Sequence, residues 1–461
     1  MAKTTCKAMR NLVIYSVYVR NYSEEGTFEA VRKDLDRIHD LGTDIIWLMP
    51  IHPIGEKNRK GTLGSPYAIR NYREINPEFG TLEDFQRLVD AIHDKGMKCI
   101  IDVVYNHTSP DSWLAANHPE WFYHKPDGSF GNKVGDWSDI IDLDYGQKEL
   151  WDYQIETLKM WAGYVDGFRC DVASMVPLDF WLSAREEVEK VRPGCIWLAE
   201  SIENGFICMN RARGMVSCSD SEIFQAFDMS YEYDINEWYR GYLTGRSSLS
   251  EYAAHINLQE SIYPDNYVKL RFLENHDQPR AHFLIPDERA LENWTAFVYF
   301  QKGATLIYAG QEKGCVKVPA LFDKDPVDWN GSGKQSKSAE LSGLMAKMAQ
   351  IKKASVFADS SYRVQPLARD LLAAVHTRNG EKEGTAAQAA NNLNDCRTIL
   401  GIFSMRAESS AVHLEDIRTA DFRCLNELFP DGVYENLIDG SSVYVLMGQI
   451  VCDGKPVIIC A

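Results

Sequence analysis

The chain has 461 residues, 45% of them hydrophobic and 25% charged, which suits a large globular domain with an appendage and excludes a disordered chain. Its formal net charge of −17 argues against nucleic acid and against an anionic membrane surface as partners, because both need lysine and arginine to bind phosphate. A neutral ligand such as a sugar is compatible with that charge.

The N-terminal residues Met-Ala-Lys-Thr-Thr-Cys lack the apolar segment of a secretory signal, and no apolar run approaches ~18 residues. Eleven cysteines are scattered without metal-like spacing, and Cys99 and Cys170 fall inside apolar runs. Reduced thiols in the cytoplasm are the natural interpretation.

From the start to about residue 355, short apolar runs alternate with amphipathic helical stretches. The runs are almost continuously apolar, as expected of parallel strands that are covered on both faces. The predicted strands are Asn11–Arg20, Asp44–Pro50, Lys98–His107, Gly167–Ser174, Cys195–Ser201, Glu222–Tyr231, Val268–Asp277 and Thr305–Glu312.

Helical periodicity is clearest in Thr81–Gly96, where an apolar stripe runs between a threonine N-cap and a glycine stop. Thr27–Gly42 and Lys148–Tyr164 follow the same pattern. Eight alternations of strand and helix predict an α/β fold, a (β/α)8 TIM barrel. A doubly wound open sheet is the alternative on pattern alone.

Two segments interrupt the alternation. Residues 108–144 are rich in Pro, Gly, Asp and Trp and are too long for an ordinary loop, which predicts a small subdomain inserted after strand 3. From about residue 361, strand-like runs such as Arg397–Arg406 and Val443–Val451 predict a C-terminal antiparallel β-sandwich. Asn379–Asn394 is predicted to be a flexible loop. The predicted domains are the barrel (1–107 and 145–360), the subdomain (108–144) and the sandwich (361–461).

Acidic residues stand at the ends of several predicted strands. The C-terminal strand ends of a barrel converge on one face, where active sites are built. One acidic residue there is more often a turn former or a helix cap, whereas several from separate strands indicate a catalytic pocket. The acidic residues at these strand ends are Asp102, Asp171, Glu200 and Asp277. Arg169 and two histidines, His107 and His276, lie near the same ends.

Glycosidic cleavage is a reaction that needs such a group of carboxylates. One carboxylate attacks the anomeric carbon, and a second, kept protonated, donates to the leaving oxygen. Nearby negative charge favours the protonated acid, and a cation such as Arg169 keeps the nucleophile ionised.

Four motifs occur in order along the chain: DVVYNH (Asp102–His107), GFRCD (Gly167–Asp171), WLAES (Trp197–Ser201) and ENHD (Glu274–Asp277). They closely resemble the four signature stretches of the α-amylase family of glycoside hydrolases. The similarity extends to LGTDIIWLMPI, SPYAIRNYREINPEFGTLEDF, IDLDYGQKEL and GATLIYAGQE, and covers about residues 11–355.

The resemblance implies a retaining α-glycoside hydrolase that cleaves α-1,4, and in some members α-1,6, glucosidic bonds in maltooligosaccharides or starch-derived glucans. It implies that Asp171 is the nucleophile, Glu200 the general acid and base, and Asp277 the third catalytic carboxylate. The substrate-binding residues that it implies are Tyr67, Asp102, His107, Arg169 and His276. A glucan transglycosylase of the same family shares all of these residues, and a noncatalytic, transporter-associated relative is a remote alternative.

The resemblance also bears on metal and on linkage. Asn106 and Asp142 match two calcium-binding positions of the family, which implies a structural Ca²⁺ but no cofactor required for the chemistry; alternatively, both residues pin the inserted subdomain by hydrogen bonds. Ser174 and Met175 stand where many α-amylases carry Lys-His, which puts the usual leaving-group contacts and part of the calcium site in doubt. Val172 directly follows the predicted nucleophile, and its valine resembles that of family members that accept α-1,6 bonds.

Aromatic side chains of the predicted subdomain either stack on sugars or pack its core: Trp113, Trp121, Tyr123 and Trp137. The short insertion and the missing Lys-His pair favour short maltooligosaccharides over insoluble starch.

Overall fold

A computed structural model describes residues 4–135, 137–317, 320–329, 340–368, 370–378, 393 and 396–461. Eight strands form a closed barrel in which each strand neighbours the next along the chain and the last neighbours the first. This confirms the (β/α)8 barrel and excludes the open doubly wound sheet. The strands are β1 Val13–Val17, β2 Ile45–Leu48, β3 Lys98–Val103, β4 Gly167–Cys170, β5 Ile196–Ala199, β6 Met229–Tyr231, β7 Lys269–Arg271 and β8 Ala304–Tyr308.

The register of the central strands aligns their polar ends. β3 pairs in parallel with β4, with Asp102 opposite Arg169, and β4 pairs in parallel with β5, with Cys170 opposite Ala199. Every residue of β4 and β5 is buried, as their continuous apolar character predicts. The residues that follow these strands therefore leave the barrel side by side.

The chain divides into two compact units. One contains Ile14–Asp234, with most of β1 and all of β2 to β6, and the other contains Ile235–Lys317 and Trp329–Ala461, with β7, β8 and the C-terminal sheets.

The helices in chain order are α1 Val19–Tyr22, α2 Phe28–Lys33, α3 Leu35–Asp40, α4 Leu82–Asp94, α5 Trp113–Asn117, α6 Lys148–Ala162, α7 Leu178–Glu189, α8 Asn204–Ala212, α9 Asp220–Ile223, α10 Tyr233–Leu243, α11 Leu249–Ile262, α12 Ala281–Leu284, α13 Glu288–Phe300, α14 Ser342–Lys352 and α15 Ser355–Ala358. Among them α4 begins as predicted, because the Thr81 hydroxyl accepts from the Asp84 N–H and the Asp84 carboxylate accepts from the Thr81 N–H. Within the described residues, no helix is both long and apolar enough to cross a membrane.

Several predicted bounds are wrong. The predicted strand Glu222–Tyr231 begins in α9, which a capping box from Ser219 nucleates, and only its last three residues form β6. The predicted helix Thr27–Gly42 is two helices, α2 and α3, because Asp34 leaves helical geometry at φ −105° and ψ 7°. The remaining predicted barrel strands are shorter than expected, because residues at their polar ends leave the ladder.

After β3 the chain enters the predicted insertion, where His107–Thr108 pairs with Ile141–Asp142 as an antiparallel ribbon. Short helical turns, α5 and Pro119–Trp121, lie between these two strands. The predicted bounds of this subdomain, 108–144, and of its neighbours stay predictions.

The C-terminal region contains the strands β9 Ser361–Leu367, β10 Leu371–Thr377, β11 Thr398–Ser404, β12 Ser410–His413, β13 Gly432–Glu435, β14 Ser442–Leu446, β15 Gln449–Cys452 and β16 Val457–Cys460. They form two four-stranded antiparallel sheets, ordered β9-β10-β11-β16 and β12-β15-β14-β13. One apolar cluster takes residues from both sheets, including Leu400, Ile459 and Val445, which confirms the predicted β-sandwich. The predicted strand Val443–Val451 is instead a hairpin that turns at Met447 and Gly448, both with positive φ. The segment Asn379–Asn394, apart from Leu393, lies outside the described residues.

Candidate active site

The guanidinium of Arg169, on β4, contacts three carboxylates. Its Nη1 donates to both oxygens of Asp102 at 2.9 Å each and to Oδ1 of Asp171 at 3.0 Å. Its Nη2 lies 2.9 Å from Oε1 of Glu200. Asp102 is on β3, Asp171 follows β4 and Glu200 follows β5, so the aligned strand ends described above bring the predicted nucleophile and acid to one cation.

This charged group is buried. Arg169 and Asp102 are fully buried, whereas Asp171 and Glu200 each keep 6% of their surface exposed. Burial by itself lowers the pKa of Arg169, but the charges of Asp102 and Glu200 outweigh it and raise that pKa well above its ordinary value. Arg169 is therefore a permanent cation, while Asp171 and Glu200 keep a small accessible surface that a ligand can reach.

Aromatic rings surround the same guanidinium. Its central carbon lies 5.0 Å from the Trp47 ring, 5.4 Å from Tyr231 and 5.6 Å from Tyr67. The Tyr67 hydroxyl donates to Oδ2 of Asp102 at 3.1 Å, so this predicted sugar-binding tyrosine belongs to the site. Sequence reasoning missed Trp47 and Tyr231, because within apolar strands they look like ordinary core residues; the inward alternation of barrel strands is the signal that identifies them.

The second oxygen of Glu200 is held by backbone. Oε2 accepts from the Val172 N–H at 2.8 Å, while Arg169 contacts the other oxygen. Val172 has φ 35° and ψ 44°, a left-handed conformation that is unusual for a β-branched side chain. The strained turn after Asp171 thus aims an N–H at the carboxyl group of Glu200.

His107 faces the predicted nucleophile. Its Nε2 lies 4.0 Å from Oδ2 of Asp171, and its ring centroid lies 5.6 Å from that of Trp137. Burial lowers the pKa of His107 to about 4, so the imidazole is neutral near neutral pH and can donate or accept a hydrogen bond without adding charge.

His276 and Asp277 follow β7, in the other unit. Nε2 of His276 lies 3.0 Å from Oδ2 of Asp277, whose N–H donates to Oδ1 of Asn275 at 2.9 Å. The Asp277 side chain is 39% exposed. A buried histidine therefore orients a carboxylate that is open to solvent.

Of the two predicted calcium ligands, Asp142 lies on the ribbon of the insertion and Asn106 directly precedes it. Oδ2 of Asp142 accepts from the Lys133 N–H at 2.7 Å, whereas its Oδ1 is buried without a hydrogen-bond partner. Burial raises the pKa of Asp142 to about 6. The Asn106 amide instead contacts Nδ1 of His107 at 3.2 Å. Among the described residues, no three His, Cys, Asp or Glu side chains are grouped to hold a metal ion.

The aromatic residues of the insertion differ in role. Trp121 is buried and stacks on His118 with ring centroids 3.8 Å apart, which is core packing. Trp113 is 43% exposed, and Trp137 approaches His107.

Two family sequence models match the chain. "Alpha amylase, catalytic domain" matches residues 14–355, and "Bacterial Alpha amylase C-terminal domain" matches residues 367–459. Among solved structures, an α-amylase from Lactobacillus plantarum is 44% identical with a TM-score of 0.89, over 99% of this chain and 100% of that one.

Curated relatives are more distant. "Alpha-amylase MalA" of Haloarcula japonica is 28% identical over 66% of this chain and 44% of the relative. An "Alpha-1,4-glucan:maltose-1-phosphate maltosyltransferase" of Salinibacter ruber is 32% identical over 40% of this chain and 31% of the relative. The chain thus spans less than half the length of these two relatives.

Proposed function

Because the chain belongs to the α-amylase family, we propose that it is a retaining α-glycoside hydrolase of α-1,4 glucosidic bonds, with α-1,6 bonds as a second substrate class. The observation that carries the proposal is the shared cation: Arg169 contacts both Asp171 and Glu200, which brings a nucleophile and an acid to one place. Maltooligosaccharides and starch-derived glucans are the proposed substrates.

In the first step, we assign the attack on the anomeric carbon to Asp171. The contact with Arg169 keeps this carboxylate ionised. His107 is neutral, so it forms no second ion pair with the nucleophile. As the bond from Asp171 forms, the glycosidic bond breaks, and the leaving oxygen takes a proton from Glu200.

The charges around Glu200 bear on its proposed role as the acid. Asp102 and Asp171 already place two negative charges on the single positive charge of Arg169, in a buried setting. Their excess negative charge opposes ionisation of Glu200, whereas its contacts with Arg169 and the Val172 N–H favour it, and we propose that the first effect leaves Glu200 available as the acid. The Val172 N–H, which bonds to Oε2, fixes the direction of the carboxyl group.

In the second step, water attacks the glycosyl–Asp171 ester while Glu200, now ionised, accepts the proton. Two inversions at the anomeric carbon give net retention of the α configuration. Tyr67 and His107 border Asp102 and Asp171, where the sugar ring would lie, and we assign them to sugar binding. Asp102 holds Arg169 and acts through it.

We assign the third catalytic carboxylate to Asp277. It follows barrel strand β7, it is exposed, and His276 orients it. Such a carboxylate binds sugar hydroxyls and stabilises the positive charge that develops in an oxocarbenium-like transition state.

We also propose a structural Ca²⁺ at Asn106 and Asp142. The orphaned, buried Oδ1 of Asp142 is a hard oxygen that suits this ion. The ion would supply charge that holds the ribbon of the insertion and would take no part in the chemical steps.

A glucan transglycosylase is the alternative, and the maltosyltransferase similarity favours keeping it. It uses the same residues and differs only in whether water or a sugar attacks the glycosyl–enzyme. We further propose a cytoplasmic location, because six of the eleven cysteines are buried, where reduced thiols act as small apolar side chains. Fractionation with a compartment marker tests it.

Product chromatography from maltoheptaose and panose tests the function. Shorter maltooligosaccharides from maltoheptaose support hydrolysis of α-1,4 bonds, and glucose plus maltose from panose adds the α-1,6 activity. Products longer than the substrate identify the transglycosylase, and an unchanged substrate refutes both.

A further inference from the structure

The outer face of one C-terminal sheet is apolar, although the face of an antiparallel sheet that meets water is normally polar. In the sheet β12-β15-β14-β13, buried and exposed residues alternate along the strands, and the buried ones belong to the core of the sandwich. Several of the exposed residues are large and apolar. Together with one residue of the β14–β15 turn they form what we call the C-terminal patch: Val433, Tyr444, Leu446, Met447 and Val451.

The C-terminal patch is continuous across the sheet. β12 pairs with β15 so that Ala411 lies opposite Val451, and β13 pairs with β14 so that Val433 lies opposite Tyr444. The pairing of β14 with β15 sets Tyr444 beside Val451. A row of apolar side chains therefore crosses all four strands, and two further members extend the patch along β14 to the turn: Leu446 and Met447.

Met447 stands at a position that disfavours methionine. It forms the two-residue turn between β14 and β15 with Gly448, and both residues have positive φ, which is 51° at Met447. Such a turn prefers Asn or Asp before the glycine, and a long side chain at positive φ is uncommon. Met447 is also 87% exposed, so its side chain gains little from packing within its own chain. A partner that buries Met447 accounts for an apolar residue here, whereas the turn does not.

The area of the patch suits an interface between proteins. Given the surface areas of Val, Leu, Met and Tyr, its five residues, which are 57–87% exposed, present on the order of 600 Å² to water. Monomeric proteins rarely expose a contiguous apolar patch larger than a few hundred Å². Two such patches facing each other bury on the order of 1,200 Å², which reaches the lower end of stable protein interfaces.

The chemistry of the patch favours a second copy of this chain as the partner. Tyr444 is its one aromatic ring, so the patch offers little on which a glucan could stack. A membrane or a nucleic acid would need cations, yet the acidic and basic side chains among the described residues of these four strands are only Glu435 and His413, on the two edge strands. An apolar face with so little charge is its own complement, as a two-fold interface between identical chains requires.

We propose that the protein forms a two-fold homodimer in which the C-terminal patch of one copy packs against the same patch of the other. Each copy carries a formal net charge of −17, so the two copies repel each other at low salt. Added salt should therefore strengthen the association by screening this repulsion, whereas it would weaken an interface held by ion pairs. The homodimer does not depend on the proposed function.

Sedimentation velocity on the full chain tests the proposal. For an interface of this size we expect a dissociation constant on the order of 1 µM, so a series from about 0.1 to 100 µM should show the change from monomer to dimer. Raising NaCl from about 0.05 to 0.5 M should move that change to lower protein concentration.

Variants locate the interface. Met447→Asp suits the turn, because Asp before Gly is favoured there, but it places an unpaired carboxylate in the patch and should raise the dissociation constant by about tenfold or more. Phe422→Asp is the matched control, since Phe422 also has positive φ and is 69% exposed, but its ring lies against Arg363 of the other sheet. This control should change the dissociation constant by no more than about twofold. Val451→Thr keeps the branched shape, removes apolar area and should weaken the dimer severalfold, which provides a second patch variant if Met447→Asp does not fold.

Each contrary outcome overturns the homodimer. A chain that stays monomeric throughout the concentration series does so, and so does a dimer that Met447→Asp and Val451→Thr leave unchanged, because its interface then lies elsewhere. A dimer that dissociates as salt rises is held by ion pairs and not by the patch. If the wild type is monomeric but binds phosphatidylcholine vesicles or insoluble starch, and Met447→Asp abolishes that binding, the patch has another occupant and the proposal is wrong.

Discussion

Replacing Arg169 should separate the catalytic role of this cation from its structural one. In Arg169→Met, the fully buried Asp102 carboxylate loses the cation that donates to both of its oxygens. Removing one partner of a buried ion pair costs about 3–5 kcal/mol of unfolding free energy. Because Asp171 and Glu200 also lose this contact, we expect kcat to fall by roughly 10²–10³-fold, the usual scale for one aligned electrostatic group.

Two further variants serve as controls for Arg169→Met. Arg169→Lys keeps the charge but has one nitrogen in place of the two that contact the three carboxylates. It should therefore regain a larger part of the lost unfolding free energy than of the lost kcat. Arg185→Met breaks another buried pair, in which Arg185 binds an Asp228 side chain that is 2% exposed. It should lose comparable stability while kcat stays close to wild type.

Urea unfolding gives the free energy, and initial rates on maltoheptaose give kcat, both at a temperature where every variant is folded. If Arg169→Met lost stability like Arg185→Met but kept kcat within about threefold, the stabilisation assigned to this cation would be absent. Wild-type kcat in Arg169→Lys would show that charge alone suffices and that the two-nitrogen geometry is irrelevant.

Proton NMR of fresh hydrolysate should show the α-anomer first, and β-product at the earliest times would exclude Asp171 as nucleophile. Glu200→Gln should slow glycosylation by maltoheptaose far more than by α-maltosyl fluoride, whose leaving group needs little acid assistance; equal losses would contradict the acid role. Burial lowers the pKa of His52 to about 4, so the unfolded chain takes up this proton first, and stability is lost as pH falls from ~6.5 towards 4. His52→Gln should flatten that part of the urea-unfolding profile, by at most about 3 kcal/mol; an unchanged profile would refute it. Calcium should raise Tm more at about pH 7.5 than at about pH 5, because Asp142 with its pKa of about 6 must ionise to bind, and Asp142→Asn should abolish the rise. An equal rise in Asp142→Asn would place the ion elsewhere.

The barrel could be predicted because its strands are buried on both faces and so form continuous apolar runs. The same property hides where each strand ends. The predicted strand Lys98–His107 stops at Val103, since His107 pairs with Asp142 in the ribbon instead of continuing the barrel. Where a strand ends depends on its hydrogen-bonding partners. The partner that takes His107 out of the barrel, Asp142, lies 35 residues further along the chain.

The acidic members of the site could be predicted from strand ends, but their supports could not. The left-handed turn at Val172 has no local signal, because valine disfavours that conformation and tertiary contacts impose it. Likewise, the alternation of barrel strands can place Trp47 inside the barrel but not beside the guanidinium. Both depend on packing between segments that are distant in sequence.

The placement of Arg169 explains why three carboxylates meet there. A strand inside a barrel cannot bury a guanidinium unless neighbouring strands neutralise it, since an isolated buried charge is strongly unfavourable. The register of β3 against β4 puts Asp102 opposite Arg169, which satisfies the fold with one carboxylate. The remaining N–H groups then face Asp171 and Glu200 at the open strand ends. The ion pair with Asp102 allows Arg169 to be buried, and the same arginine fixes the two groups that we propose carry out the reaction. A change at Asp102 should therefore alter stability and rate together.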